Sequence, residues 1–258
     1  IPYVFHDLDD ISKNSMGPKP FTAAGGEVII DTVTKADLSA KTITTASGKS
    51  FSFTKLIFAT GSTPTVPTFI KGYDLEGVEY IKKSYDYIDS LNTKSEQAKK
   101  IVIIGGGFIG AEVAEQFAKH QDKTVYLVEA EEHCLNRAFS SDYAKLADQA
   151  LREGGVQVAT NSKVEEITGK NGRVSAVKME DGKEIECDLV IATIGYDPHT
   201  ELAKAAGLEL NEHNAIRIDN YLRTSVKDVY AVGDCSGTHG FITGRTDNIM
   251  LASTATAK

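Results

Sequence analysis

At 258 residues, with 41% hydrophobic and 25% charged residues and a formal net charge of −8, the chain has enough apolar content to bury a core over one large or two medium domains. The acidic balance argues against sequence-independent nucleic-acid binding, which needs a basic face to release counterions, and against an anionic membrane surface. No apolar run approaches the roughly 18–20 residues that cross a bilayer, and the opening IPYVFHDLDD lacks the basic and apolar regions of a signal peptide; the expectation is a cytoplasmic protein with small-molecule partners and neither nucleic acid nor membrane as partner.

The first patterned segment, GGEVIIDTVTKADLSAKTITTASGKSFSFTKLIFATG, covers residues 25–61. It predicts a short β-rich strand after the glycine pair, two strands joined by a polar turn at Ser47 and Gly48, and an apolar strand ending in Ala59, Thr60 and Gly61. Residues 64–100 form a connection, with VPTFIKGYDLEG as loop and SYDYIDSLNTKSEQ as helix. Residues 101–104 are an all-apolar, β-branched run, the pattern of a central parallel strand buried on both faces. Helix AEVAEQFAKH follows, with Ile109, Val113 and Phe117 spaced to face the sheet, and then a second strand, Thr124–Val128. The stretch SSDYAKLADQALREGG predicts a helix that packs Tyr143, Leu146, Ala147, Ala150 and Leu151 inward and stops at its glycine pair. After a second meander, YDPHTELAKAAGLELNE reads as loop plus short helix and IRIDNYLRTSVKDVYAVGD as two further strands.

That second meander, GGVQVATNSKVEEITGKNGRVSAVKMEDGKEIECDLVIATIG at residues 154–195, repeats the order of the first. The offset is 129 at the glycine pair (154 − 25) and 133 at the Ala-Thr ending (192 − 59). Two copies of one domain type are implied. In the second copy a βαβ unit stands ahead of the meander and its glycine loop opens at Gly105, 49 residues before Gly154. The same spacing from Gly25 falls outside the chain, so the expectation is a fragment, or one piece of a cleaved protein, that lacks the first βαβ of its first domain.

Gly105, Gly107 and Gly110 have the G-x-G-x-x-G spacing, and Glu129 stands 19 residues after Gly110 (129 − 110). Strand, loop, helix, strand and acid arrive in the order dinucleotide binding needs. Gly105 makes the tight turn, Gly107 lets the backbone approach a pyrophosphate, Gly110 permits close helix–strand packing, and the helix N-terminus offers free N–H groups. Glu129 is placed for ribose hydroxyls; it would repel a 2′-phosphate, and Ala130, Glu131 and Glu132 supply no cation to neutralise one, which favours NADH over NADPH. Phe108 and Glu112 stand four apart in the first helical turns, on one row. Cys134, Cys187 and Cys235 are far apart, with no C-x-x-C pair and no spacing for a zinc site, and are expected as reduced, partly buried thiols with no metal site in the chain.

IIGGGFIGAE, the ending Ala59, Thr60, Gly61, IATIGYDP and T-x4-VYAVGD together resemble the FAD-dependent pyridine nucleotide-disulfide oxidoreductases, over nearly the whole chain. The resemblance implies an α/β fold of two Rossmann-like (three-layer ββα) nucleotide-binding domains, the NAD domain inserted in the FAD domain. Residues 1–66 would be a partial FAD-binding domain, 67–195 the NADH-binding domain and 196–258 the FAD-binding return segment. It implies that Asp234 accepts a hydrogen bond from a ribityl hydroxyl of FAD, that Gly233 allows the flavin chain close approach, and that Thr60 and Gly61 line the same cofactor. Gly195 is implied near NADH; Ala252, Ser253 and Thr254, in a helix start at LASTATAK, are implied to present N–H groups to the flavin ring. Phe108 takes the place of a gating aromatic, Glu112 that of the acid beside the nicotinamide, and Ile109 lies in the cofactor-binding loop between them.

Ile1, Pro2 and Tyr3, with GTHGFITGR, resemble the coenzyme A-disulfide reductase and NADH oxidase group, in which a reactive cysteine would lie just upstream of Ile1. VTKADLSAKTITTASGKSFSFTKLIFATGST also resembles plant-type monodehydroascorbate reductases, which use no redox cysteine. The implied function is a flavoprotein oxidoreductase, a homodimer when intact. It would transfer hydride from NADH to FAD and on to a disulfide, a sulfur species, or oxygen or peroxide. The alternatives are electron transfer of the monodehydroascorbate- or ferredoxin-reductase type, and a non-catalytic flavin and NADH redox sensor. With no first glycine loop and no C-terminal interface domain after Lys258, the 258 residues alone are expected to bind FAD poorly and to be inactive.

Overall fold

The computed structural model of the protein describes residues 2–8, 10–14, 17–239, 246, 247 and 250. The chain divides into two compact units, one of Ile1–Met16 and Pro64–Gly195, the other of Gly17–Thr63 and Tyr196–Lys258. The central segment is thus inserted in the unit that flanks it.

The unit containing the glycine loop is built on a parallel sheet in the order Val78–Tyr80, Leu189–Ala192, Lys100–Ile104, Thr124–Val128, Gln157–Ala159. Lys100–Ile104 is the middle strand, and its apolar run alternates between two cores. Ile101 and Ile103 pack with Val113 and Phe117 of helix Phe108–Ala118, Leu91 of helix Tyr85–Gln97 and Leu151 of helix Ser141–Glu153. Val102 and Ile104 pack with Ile167, Val177 and Met179, which belong to an antiparallel sheet of Val164–Lys170, Arg173–Met179 and Glu184–Glu186. Helices, parallel sheet and antiparallel sheet make three layers. Full burial of such side chains stabilises the unit by about 1.5–3 kcal/mol each, which is why an unbroken β-branched run is tolerated here.

The expected division at residues 1–66 differs from this clustering in its first residues. Phe5 sets its ring 4.8 Å from that of Phe117, and Asp7 accepts hydrogen bonds from Gln116 and Lys119, so the opening segment packs on the glycine-loop helix.

The flanking unit carries the antiparallel sheet Val33–Asp37, Thr42–Thr45, Ser50–Ser52, and a parallel pair, Leu56–Phe58 with Val229–Ala231. Its core gathers Ala36, Phe58, Ala203, Leu208, Ile216, Val229 and Ala231. The order of an antiparallel meander followed by a parallel strand is the same in both units, with Leu56 and Leu189 at the repeat offset of 133 (189 − 56). The copies differ at their edges. Leu189–Ala192 is paired on both sides, whereas Leu56–Phe58 is paired on one side among the described residues and leaves Ile57 60% exposed.

Three predicted elements need correction. The β-rich stretch after Gly26 forms no strand, and Ile30 is 98% exposed. Its counterpart Gln157–Ala159 is a strand because it lies along Thr124–Val128; no strand of the first copy is paired with residues 27–30. Of the two strands expected over residues 216–234, only Val229–Ala231 forms, and the preceding chain makes isolated bridges such as Arg223 with Tyr230. Helix Ser141–Glu153 buries Ala144, Asp148 and Leu151, while Tyr143 and Leu146 are 68% and 60% exposed. The buried carboxylate sets that rotation, because Asp148 has fixed hydrogen-bond partners beneath the helix.

Candidate functional site

The glycine loop begins where Lys100–Ile104 ends. Gly105 has a left-handed φ of 103°, and a Cβ there would lie 2.7 Å from the Thr193 carbonyl oxygen. Its N–H donates to the Val128 carbonyl at 2.8 Å, and the Thr193 hydroxyl donates to the Gly105 carbonyl at 2.8 Å. Thr193, which sequence reasoning passed over, therefore ties the loop to the end of the neighbouring strand. Gly110 lies against the turn so closely that a Cβ would come within 1.9 Å of the Gly105 carbonyl oxygen. Gly107 is the contrast. It caps helix Phe108–Ala118 at φ −72°, is exposed, and has no atom within 4 Å of the place a Cβ would occupy. The first N–H groups of the helix meet no side-chain cap there, so backbone donors and positive helix dipole face open space.

Glu129 follows the adjacent strand Thr124–Val128 and is half-buried. Its Oε2 accepts the Gly106 N–H at 2.6 Å and its Oε1 accepts the Glu131 N–H at 2.8 Å. Each carboxylate oxygen can accept a further hydrogen bond, so the side chain is oriented by backbone and still able to take ribose hydroxyls. Arg137, 87% exposed in its side chain, returns to Glu131 with N···O 3.2 Å. Sequence spacing had placed no cation near the acids; this one comes from six residues along (137 − 131), through a loop. Phe108 is half-buried, edge-on to Phe139 with ring centroids 5.9 Å apart, and Glu112 is exposed one turn further along the helix. Ile109 is half-buried against the helix-side core. Gly195, at the sheet's end with φ 145°, accepts the Thr65 N–H at 3.0 Å.

In the flanking unit, Leu56–Phe58 and Val229–Ala231 run parallel and end side by side, with the Val232 N–H on the Phe58 carbonyl at 2.9 Å. Ligands of open α/β sheets bind outside such carboxyl ends. After the first strand, Ala59 and Thr60 are exposed, and Gly61 turns with φ 70° and open space beyond its Cα. Thr60 Oγ1 donates to the His199 carbonyl at 2.5 Å, and the His199 N–H donates to that of Gly61 at 2.9 Å. After the second strand, Gly233 has φ 73°, again with no atom near a would-be Cβ, and Asp234 accepts the Ser62 hydroxyl at 2.7 Å. Ser62 orients Asp234; its place, next to Gly61, was the available sequence signal. Burial and the Asp234 charge push the Tyr196 phenol up to about 12, so it stays a neutral hydroxyl beside that carboxylate. Ala252, Ser253 and Thr254 lie outside the described residues.

The pyridine nucleotide-disulphide oxidoreductase family matches residues 13–258. The chain belongs to that family. It is 35% identical over 217 residues to an NADH oxidase of Streptococcus pneumoniae, covering 79% of this chain and 46% of the relative. To a peroxisomal monodehydroascorbate reductase of Arabidopsis thaliana it is 35% identical over 236 residues, 89% of this chain and 54% of the relative. The chain thus spans about half the length of these curated relatives. The solved water-forming NADH oxidase from Lactobacillus brevis, bound to NADH, is similar with TM-score 0.88 and 29% identity, over 99% of this chain and 57% of that one. The two Rossmann-like units, one inserted in the other, are the fold shared with such oxidoreductases.

Cys134, Cys187 and Cys235 are buried and free. Burial pushes the Cys134 and Cys187 thiols up to about 12, with Asp148 adding to the effect at Cys134. Among the described residues no group of three or more His, Cys, Asp or Glu could hold a metal, and no helix is long and apolar enough to cross a membrane.

Proposed function

We propose that this chain supplies both nucleotide-binding units of an FAD-dependent NADH oxidoreductase that passes hydride from NADH to FAD and on to an acceptor. One observation carries it. Each unit follows a parallel strand with an oriented carboxylate, Glu129 or Asp234, and with a glycine nearby that has open space where a Cβ would lie. Residues 67–195 would hold NADH: Gly105, Gly107 and Gly110 and the following N–H groups at the pyrophosphate, Glu129 at the adenosine ribose, Gly195 and Glu112 toward the nicotinamide, with Phe108 as the aromatic that yields to it. Residues 1–66 and 196–258 would contribute to FAD: Asp234 accepts from a ribityl hydroxyl, Gly233, Ala59, Thr60 and Gly61 allow backbone approach, and Ala252, Ser253 and Thr254 address the ring. FAD, when bound, supplies the two-electron carrier. This chain's groups bind and orient, and Glu129 disfavours a 2′-phosphate.

The acceptor divides two readings. Similarity to NADH oxidase favours dioxygen among the acceptors; a disulfide, sulfur species or peroxide, and an intact cytoplasmic homodimer, belong to the same reading. Similarity to monodehydroascorbate reductase, together with three buried cysteines of which two have thiols held neutral, favours transfer without a redox thiol of the described residues. NADH oxidation by the intact enzyme, measured with coenzyme A disulfide, dioxygen and monodehydroascorbate in parallel, separates them. Turnover with none of these, and flavin reduction alone, would leave a redox sensor in place of an enzyme.

A further inference from the structure

The glycine loop rests on a strut that the dinucleotide motif does not contain. Gly106 is held on three sides. Its N–H donates to Glu129, its carbonyl accepts the Leu135 N–H at 2.8 Å, and its Cα lies against the Cys134 sulfur, which would be 2.8 Å from a Cβ at that position. Leu135 achieves this with a left-handed φ of 58°, a conformation a leucine keeps only where its surroundings impose it. Directly before Leu135 in the chain, His133 and Cys134 are held by Asp148 on helix Ser141–Glu153, 3% exposed. Its Oδ1 accepts the Cys134 N–H at 2.9 Å and its Oδ2 meets His133 Nδ1 at 2.8 Å. A buried carboxylate in this place is expensive unless its partners are fixed, and one of the partners it fixes, Cys134, backs the loop.

We infer that Asp148 is a positioning residue for NADH. Through His133 and Cys134 it sets Leu135 and the Cys134 sulfur against Gly106, so the Gly106 and Gly107 backbone is held where a pyrophosphate approaches and Glu129 stays aimed at the ribose. The inference rests on the proposed NADH site and adds a group from outside the βαβ unit to it. Hydrogen bonds to a buried carboxylate are among the stronger ones, and their loss leaves the Cys134 N–H and His133 Nδ1 without these partners.

The test is NADH titration by calorimetry on the 258-residue protein, with thermal unfolding measured in parallel. Asp148→Ala weakens NADH about tenfold, whereas Leu151→Ala, buried one turn further along the same helix with a side chain that makes none of the strut's hydrogen bonds, lowers the melting temperature and leaves NADH affinity within about twofold. Asp148→Asn, which keeps an acceptor for the Cys134 N–H, recovers most of the affinity. Equal weakening by Asp148→Ala and Leu151→Ala, or none by the former, overturns the inference. In the unmutated protein, amide exchange at Leu135 slows further when NADH binds; an unchanged Leu135 amide overturns the inference even where Asp148→Ala does not fold. Failure of the unmutated protein to bind NADH would instead overturn the nucleotide site, and the inference with it.

Discussion

One methyl group added at two positions of the same loop separates packing from binding. At Gly110 a Cβ would lie 1.9 Å from the Gly105 carbonyl and 2.7 Å from Thr193 Oγ1, so helix and strand must move apart. Overpacking against backbone costs about 1–3 kcal/mol, and a unit of this size loses about 2–4 °C per kcal/mol; Gly110→Ala is expected to lower the melting temperature by about 2–12 °C. At Gly107 the φ of −72° suits any residue and no atom lies within 4 Å. Gly107→Ala therefore stays within about 1 kcal/mol of the parent stability, since only a helix N-cap preference changes. Its methyl instead fills the space through which a pyrophosphate reaches the backbone, and NADH affinity falls about tenfold or more. Scanning calorimetry and NADH titration on both variants give the comparison. Parent-like NADH affinity in Gly107→Ala would refute the reasoning, and so would a Gly110→Ala protein of unchanged stability.

Further outcomes follow from the same geometry. NADH should bind at least tenfold more tightly than NADPH, on the order of 1.4 kcal/mol, and Glu131→Gln should narrow the gap by releasing Arg137; equal binding of the two by the unmutated protein would contradict the role given to Glu129. Asp234→Ala should weaken FAD binding more than Ser62→Ala, because the first removes the acceptor and the second only its orientation; fluorescence titration of FAD with the intact enzyme ranks them. Cys134 and Cys187 should resist iodoacetamide at pH 8 in the native state and react on unfolding, since burial pushes their thiols up to about 12 from the ordinary 9.0. The native state then holds more protons than the unfolded one between those values, so these thiols favour folding below pH 9 and that contribution is lost as pH rises toward 12. Rapid labelling of either cysteine in the native protein would show the burial to be wrong.

Much of this was legible because period and spacing were strong. Residues 101–104, Gly105, Gly107, Gly110 and Glu129 form one local unit, and its parts lie close in sequence as well as in space. The offset between the two meanders marks a duplicated fold in the sequence itself. What escaped the sequence depended on distant partners. Residues 27–30 have the composition of a strand, but a strand needs a neighbour, and Gln157–Ala159 has one where they do not. Tyr143 and Leu146 have the apolar spacing of an inward face; Asp148 turned the helix because its hydrogen bonds fix it beneath the glycine loop. Ser62, Thr193 and Arg137 are ordinary residues whose use appears only when their partners are beside them.

Two separate nucleotide seats, one in each unit, are best tested by hydrogen–deuterium exchange of the intact enzyme with each cofactor added alone. NADH should slow exchange at residues 105–110 and around Glu129 and leave residues 59–61 and 233–234 unchanged, while FAD should do the reverse. Protection of the same peptides by both cofactors, or of neither set by either, would contradict the assignment.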